Sequence, residues 1–176
     1  MLYLETERLK LIPLDLYHLR LLRQSRALME KSLGLEPSAM AVDEFTRGEI
    51  AQALETWIAQ VGRHETDYQW YTAWEIVLKD ENLSVGGIGL TGPPDSIGET
   101  MVGYNIDGNY QNQGFASEAL TALTGWAFRH PKLRRILAET PQENFASHRV
   151  LSKNGFVKTG RRPGTFMWQK TVENGS

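Results

Sequence analysis

The stretch that most constrains this chain runs from Met101 to Leu120. An apolar run, Met101-Val102-Gly103-Tyr104-Asn105-Ile106, gives way to a turn at Asp107-Gly108-Asn109 and then to a glycine-bearing loop that opens into a helix. A strand that delivers its end to a helix N-terminus builds a place to hold an anion. The leading N–H groups of a helix have no intrahelical partner, and the macrodipole adds partial positive charge there. Gly114 and Ala116 are small enough for a bulky diphosphate to approach the main chain, and Gln111 is placed to hydrogen-bond across the loop and hold its shape.

A second element follows after one helix and one strand: Asn144-Phe145-Ala146-Ser147, then Val150-Leu151-Ser152-Lys153-Asn154-Gly155-Phe156. The pattern Gln111-x-x-Gly114-x-Ala116 resembles the Arg/Gln-x-x-Gly-x-Gly/Ala signature of the GNAT superfamily of N-acetyltransferases, and the second element resembles that family's Asn-x-x-Ser segment and the helix end that follows it. The opening Thr6-Glu7-Arg8-Leu9-x-Leu11 resembles the start of the ribosomal-protein N-terminal acetyltransferase branch. The resemblance implies an α+β GNAT fold: a mixed, mostly antiparallel sheet of about six or seven strands with helices on both faces. That sheet would be splayed between strands 99–106 and 135–140.

The same resemblance implies acetyl-CoA as co-substrate. Backbone groups of Tyr104, Asn105 and Ile106 would hold the pantetheine arm as a pseudo-strand. The diphosphate would fall to Asn112, Gln113, Gly114, Phe115, Ala116 and Ser117 behind Gln111, and the Asn144 side chain would contact the pantetheine. The family's usual acid, a tyrosine, falls on Leu151, which leaves Ser147 as the candidate hydroxyl near the sulfur.

A chain of 176 residues suits one domain, residues 1–176. With 19 Lys and Arg against 21 Asp and Glu, the net charge of −2 carries no basic excess and disfavours a nucleic-acid partner. No cysteine is present, which excludes disulfides, thiolate zinc sites and a thiol nucleophile. His18, His64, His130 and His148 show no metal-ligand spacing, so no metal is expected. The acidic start and the lack of a long apolar run point to a cytoplasmic protein that does not engage a membrane. Monomer and homodimer both stay open.

Along the chain, Leu9–Leu14 reads as a strand, with Asp15 capping a helix that keeps its period to Gly34. Ile50 to Val61 is the clearest amphipathic helix, ended by Gly62. The run 68–78 alternates as a strand, and Lys79-Asp80-Glu81-Asn82 turns it into strand 84–90. A helix ahead of Pro131, a helix capped by Gly155, and strands 156–160 and 165–170 complete the chain, whose residues 173–176 are expected to fray.

Acyl transfer to an amine needs a neutral nucleophile, and a carboxylate beside the splay is the simplest general base. Glu139, five positions before Asn144, sits where one ribosomal acetyltransferase branch carries its base; its bland reading is an ion pair with Arg134 or Arg135. Glu75 is a rival if it points inward, and Glu99 is another. His148 beside Ser147 cannot act as its base, because helix neighbours point ~100° apart. Trp57, Tyr68, Trp70, Tyr71 and Trp74 would wall the acceptor side, with Glu65, Asp67 or Glu75 as an acidic rim. The reading is direct acetyl transfer to a primary amine, a protein N-terminus or a small amine, without a covalent enzyme intermediate. The alternative is a GNAT-fold module that binds acyl-CoA without catalysis.

Overall fold

The computed structural model describes residues 1–173; residues 174–176, within the tail expected to fray, lie outside the described residues. Eight strands form one sheet: β1 (Leu4–Glu5), β2 (Leu9–Pro13), β3 (Ala73–Leu78), β4 (Leu83–Leu90), β5 (Glu99–Ile106), β6 (Arg135–Pro141), β7 (Val157–Arg162) and β8 (Thr165–Thr171). Their spatial order is β1-β2-β3-β4-β5-β6-β8-β7, and among the described strands the β5–β6 pair is parallel while the other neighbours are antiparallel. The sheet exceeds the expected six or seven strands because β1 has two residues, too few to show alternation in the sequence. Five helices, α1 (Leu16–Gln24), α2 (Arg26–Ser32), α3 (Glu44–Arg63), α4 (Phe115–Ala127) and α5 (Phe145–Lys153), cover both faces.

The two faces follow from the period of two along each strand. Trp74, Ile76, Ile88, Val102 and Ile136 meet Leu120 and Leu123 of α4 and Leu151 of α5 in the larger core. Leu120, Leu123 and Leu151 have no exposed surface, and each contributes on the order of 1.5–3 kcal/mol by burial. On the opposite face Leu14, Leu19, Met29, Leu54 and Val61 form a second cluster beneath α1, α2 and α3. No helix among the described residues is long and apolar enough to cross a membrane.

Three local expectations change. The long early helix breaks at Ser25, whose side chain accepts from Leu28 N at 3.1 Å and so caps α2. Gly62 lies inside α3, which runs on to Arg63. The strand expected over 68–78 starts only at Ala73, because Tyr68–Trp70 is a single 3₁₀ turn. Tertiary contacts fix that turn: Trp70 packs on Trp126 with ring centroids 4.7 Å apart, and Trp74 Nε1 donates to Gln69 O at 2.9 Å.

The feature that positions the site is the parallel seam. β5 and β6 pair only over Glu99–Arg135, Thr100–Ile136 and Met101–Leu137. Beyond that point β5 stays with β4 as far as Ile106 while β6 stays with β8 as far as Pro141, so the sheet splits. An ion pair between Arg135 and Glu99 fastens the closed end, where Gly98 O also accepts from Arg134 N and Arg135 N. Gly86 lets β4 hold β5 this closely: a Cβ there would collide with Asn105 O.

Candidate active site

The split leaves strand edges without partners. Met101 O accepts from Thr91 N and Asp107 N donates to Val85 O, both on the β4 side of β5. Alternation along the strand therefore aims the main-chain groups of Val102, Tyr104 and Ile106 at the gap. Ile106 O is already engaged there, accepting from Gln111 Nε2 at 3.1 Å, which is the bracing bond expected of Gln111. Asn105 borders the cleft, but its carbonyl faces Gly86 of β4 rather than the gap.

At the open end of the gap the loop enters α4. Asn112 (φ +62°) and Gly114 (φ +84°) are both left-handed, and Gly114 is the N-cap residue of α4, with no side chain capping the first turn. The leading N–H groups of Phe115, Ala116 and Ser117 are thus left for an outside acceptor. These residues border a cleft of about 700 Å³ together with Tyr104, Asn105, Ile106, Gln111 and Asn144. Phe115 and Ser117 contribute main chain rather than side chain. The Phe115 ring is buried in the core, and Ser117 Oγ accepts from Asn154 Nδ2 at 3.0 Å.

Gln113 alone of the expected loop residues does not border this cleft; its carbonyl is turned back to accept from Arg8 Nη1 at 2.9 Å. Arg8 also pairs with Glu118 through Nε at 2.7 Å and lies over the Phe115 ring, 4.5 Å from its centroid. Thr6 donates to the same Glu118 carboxylate. Burial works against ionisation of Glu118, but the bonds from Thr6 and Arg8 prevail and hold its carboxyl below the ordinary value. The opening Thr6-Glu7-Arg8 thus clamps the loop from behind, a role that no local feature of the sequence signals. Arg149 and Lys153, one helical turn apart on α5, also border the cleft and were missed. Their i, i+4 spacing after Asn144 was the available signal.

A second cleft of about 770 Å³ continues from the first on the α3 side of the sheet. Glu139 borders it, on the exposed part of β6, and accepts from Thr165 Oγ1 at 2.9 Å. Arg135 is spent on Glu99, and Glu139 has no ion pair among the described residues, so the surface-pair reading does not hold. Ser147 borders both clefts, and its backbone N–H donates to Asn144 Oδ1 at 3.1 Å, which makes Asn144 the cap of α5 as well as a cleft residue.

Glu75 does point inward, but it lies outside both clefts. It is 2% exposed and accepts from Arg26 Nη1 at 3.0 Å and from Ser84 Oγ. Burial tends to lower the Arg26 guanidinium, and the neighbouring Glu75 and Glu30 carboxylates more than offset that and hold it above its ordinary value. Glu75 is thus a structural anchor joining α2 to the sheet, and its expected place at the acceptor site is corrected on that ground.

The acceptor walls are also redistributed. Trp57 and Tyr71 border the second cleft, with Phe45, Ile50 and Ala53. Trp70 and Trp74 instead pack on Trp126, toward α4. The carboxylates that border the second cleft are Asp43, Glu49 and Glu139 rather than Glu65, Asp67 or Glu75, and among the described residues no Lys, Arg or His borders it. The Thr46 backbone N–H, and then its hydroxyl, hold the Asp43 carboxyl below its ordinary value. His148 gives its Nε2 to the Pro141 carbonyl at 3.1 Å, so it does not serve Ser147. No group of residues that could hold a metal ion occurs among the described residues.

A sheet parted at the parallel seam between β5 and β6, with a left-handed glycine opening a helix beside the gap, defines the GNAT class of fold. The chain belongs to the Acetyltransferase (GNAT) domain family, whose model matches residues 8–157, and it is an acetyltransferase enzyme. It is similar to the protein of Bacillus subtilis (strain 168) described as uncharacterized N-acetyltransferase YjdG, 28% identical over 157 residues that cover 89% of this chain and 90% of that one. The ribosomal-protein-S5-alanine acetyltransferase from Vibrio fischeri matches it with a TM-score of 0.68 at 21% identity, over 99% of this chain and 98% of the other. RimL, the ribosomal L7/L12 alpha-N-protein acetyltransferase, in complex with coenzyme A, matches with a TM-score of 0.68 at 19% identity, over 97% and 98%. At these identities the likeness to the two structures is one of fold.

Proposed function

We propose that this enzyme transfers an acetyl group from acetyl-CoA directly to a primary amine, a protein N-terminus or a small amine, with Glu139 as general base. The observation that carries the reading is the continuity of two unlike clefts across the split seam, one bordered by unpaired main chain and cations, the other by carboxylates. The first suits the donor. Tyr104 offers strand groups to an amide-rich arm, the first turn of α4 offers N–H groups to a diphosphate, and Arg149 and Lys153 add charge at the rim. When bound there, acetyl-CoA supplies an activated acyl group and a good leaving thiolate.

The second cleft suits the acceptor. Asp43, Glu49 and Glu139 attract a protonated amine, and Trp57, Tyr71 and Ile50 give it apolar walls. Glu139 then takes the proton that makes the amine a nucleophile. The inward-facing N–H groups of β5 are the donors for the developing oxyanion, and Ser147 is the donor for the sulfur. Direct transfer is favoured by the lack of cysteine and by the engagement of His148 with Pro141, which leaves Ser147 without a base. The name of one fold neighbour, an alpha-N-protein acetyltransferase of ribosomal L7/L12, supports a protein N-terminus as acceptor class.

The test is a thiol-release assay with acetyl-CoA and a panel of small amines and N-terminal peptides, beside a thermal melt with acetyl-CoA alone. The expected result is a raised melting temperature and thiol release with at least one amine. A raised melting temperature with no release from any amine or peptide would sink the reading.

A further inference from the structure

Two of the three carboxylates at the acceptor half stand where the core gives no support. Asp43 is the N-cap of α3, and Glu49 lies in the second turn of that helix. From Glu44 through Ala53 no residue of α3 is buried, and the helix enters the second cluster only with Leu54 and Val61. Packing therefore fixes the far half of α3 and leaves its first turns to be placed by other bonds.

Those bonds come from the segment that leads into Asp43. Residues 37–43 form neither helix nor strand, and the chain here is tied by hydrogen bonds at three places. Glu36 N donates to Asn82 O at 2.9 Å, and Ser38 N donates to Glu30 Oε2 at 3.1 Å. The third tie is nearest α3. Ala41 N donates to Asp107 Oδ1 at 3.1 Å, and Ala41 O accepts from Gly108 N at 2.7 Å.

Asp107 is buried at the end of β5, where it caps the 3₁₀ turn Gly108–Tyr110. Its Oδ1 accepts from Asn109 N at 3.0 Å and from Asn109 Nδ2 at 3.1 Å, which is all that the cap requires. The bond to Ala41, 66 positions away in the chain, lies outside that local role. The turn that receives it is continuous on one side with Ile106 of the seam and on the other with Gln111 of the donor loop. Ala41 and Val42 border the donor half, Glu49 borders the acceptor half, and Asp43 and Thr46 border both.

We propose that Asp107 is a positioning residue for the acceptor: through Ala41 it fixes the entry of α3, and so sets Asp43 and Glu49 in register with the seam at which the acyl group would be presented. This rests on the acetyl-transfer reading above. Asp107 touches neither substrate; it acts through the main chain of Ala41.

The experiment uses the intact protein and four variants. Asp107→Ala removes the acceptor of the Ala41 N–H. Gly108→Pro removes, from the side of the turn, the N–H that Ala41 O accepts. Proline suits that position, because Gly108 opens a 3₁₀ turn and Asp107, at φ −49° and ψ 131°, has the extended backbone that precedes proline. Asn109→Ala loosens the turn but leaves both bonds to Ala41, and Asp107→Asn keeps an oxygen to accept from it.

Hydrogen exchange by mass spectrometry over residues 41–52 should quicken in Asp107→Ala and Gly108→Pro, with residues 54–61 unchanged. Asn109→Ala should exchange as wild type does. In turnover, Asp107→Ala and Gly108→Pro should raise KM for the amine on the order of tenfold, and Asp107→Asn should restore most of it. The kcat and the KM for acetyl-CoA should stay within about twofold, because Glu139 is on β6 and the donor loop keeps its braces from Gln111 and Arg8. Wild-type exchange over 41–52 in both Asp107→Ala and Gly108→Pro would overturn the proposal. So would an equal rise in amine KM from Asn109→Ala, which would assign the effect to the turn, or a loss shared equally by kcat and both KM values. Absence of thiol release from every amine with the wild-type protein would strike the acetyl-transfer reading; the exchange series needs no amine and still decides whether Asp107 holds α3.

Discussion

The two halves of the cleft are built from different material. The donor half is main chain: an unpaired edge of β5, a left-handed Gly114 and an uncapped helix start, with Arg8 holding the loop from behind. The acceptor half is side chains, Asp43, Glu49, Trp57, Tyr71 and Glu139, brought together from α3, the 3₁₀ segment and β6. Main-chain geometry tolerates few substitutions and binds a fixed ligand, whereas a side-chain wall can be redrawn one residue at a time. The contrast assigns constancy to the donor and specificity to the acceptor, and it makes the expected effect of a substitution depend on which half it enters.

The largest effect belongs to the main-chain half. Gly114→Val forces a β-branched residue into a left-handed conformation, at about 1–2 kcal/mol, and so shifts the loop that would present the leading N–H groups of α4 to the diphosphate. The nearest atom to an added Cβ is Arg8 Nη2 at 3.2 Å, so the Arg8 clamp has to give by a few tenths of an ångström while the core is untouched. Losing two charge-assisted hydrogen bonds of about 1.5–3 kcal/mol each implies at least a roughly 100-fold loss of acetyl-CoA affinity by calorimetry. The melting temperature should drop by only a few degrees. Undiminished affinity would break the assignment of the donor half to main-chain recognition.

The same division explains what was legible in the sequence. A glycine at a strand-to-helix junction and an asparagine at a helix start announce themselves in contiguous residues, so the loop and the start of α5 are legible in the order of residues, and the split seam only through the family resemblance that those residues carry. Gln113 was the exception, because only the fold brings Arg8 to its carbonyl across 105 positions of sequence. The acceptor wall had no such local signal. Asp43 and Glu49 look like any N-cap and any solvent-facing glutamate of an amphipathic helix, and their relation to Glu139 exists only after α3 is laid over the split. Glu75 failed for the opposite reason. Its inward direction stood only as a condition in the sequence, and the Arg26 partner that occupies it comes from a helix 49 positions away. Trp70 and Trp74 show the same limit, since strand periodicity gives a direction without saying which helix will be met there.

A middle-sized effect is expected at the carboxylate of the acceptor half that is assigned the chemistry. Glu139→Gln leaves Gly114, the first turn of α4 and Asn144 untouched, so acetyl-CoA affinity should hold while turnover at neutral pH falls roughly 100-fold through loss of the general base. The deficit should shrink as pH rises toward the acceptor amine's own pKa, because solvent then provides the neutral nucleophile. The sign is what discriminates: a carboxylate that merely shaped the wall would show a deficit independent of pH. A flat ratio of wild-type to variant kcat across the alkaline limb would move the base elsewhere and leave Glu139 as part of the wall.

The smallest effect lies farthest out on the acceptor side. Glu49 is exposed on α3, and it faces a cleft whose fixed charges are Asp43 and Glu139, both negative. Exposed charges act at close range in high dielectric, so Glu49→Gln should raise KM for a cationic acceptor only about two- to fivefold, with kcat and the KM for acetyl-CoA unchanged. Screening sharpens the test. The Debye length is about 8 Å at physiological ionic strength and about 3 Å at 1 M, so the difference between wild type and variant should fade as salt is added. A steric or packing role would persist at high salt, and an acceptor that binds uncharged would show no difference at any salt. Glu49→Lys reverses the charge and should exceed Glu49→Gln in the same direction at low salt. If the lysine variant binds the amine as well as wild type does, the acidic character of the wall has no part in choosing the acceptor, and the division between a main-chain donor half and a charge-selective acceptor half loses its second term.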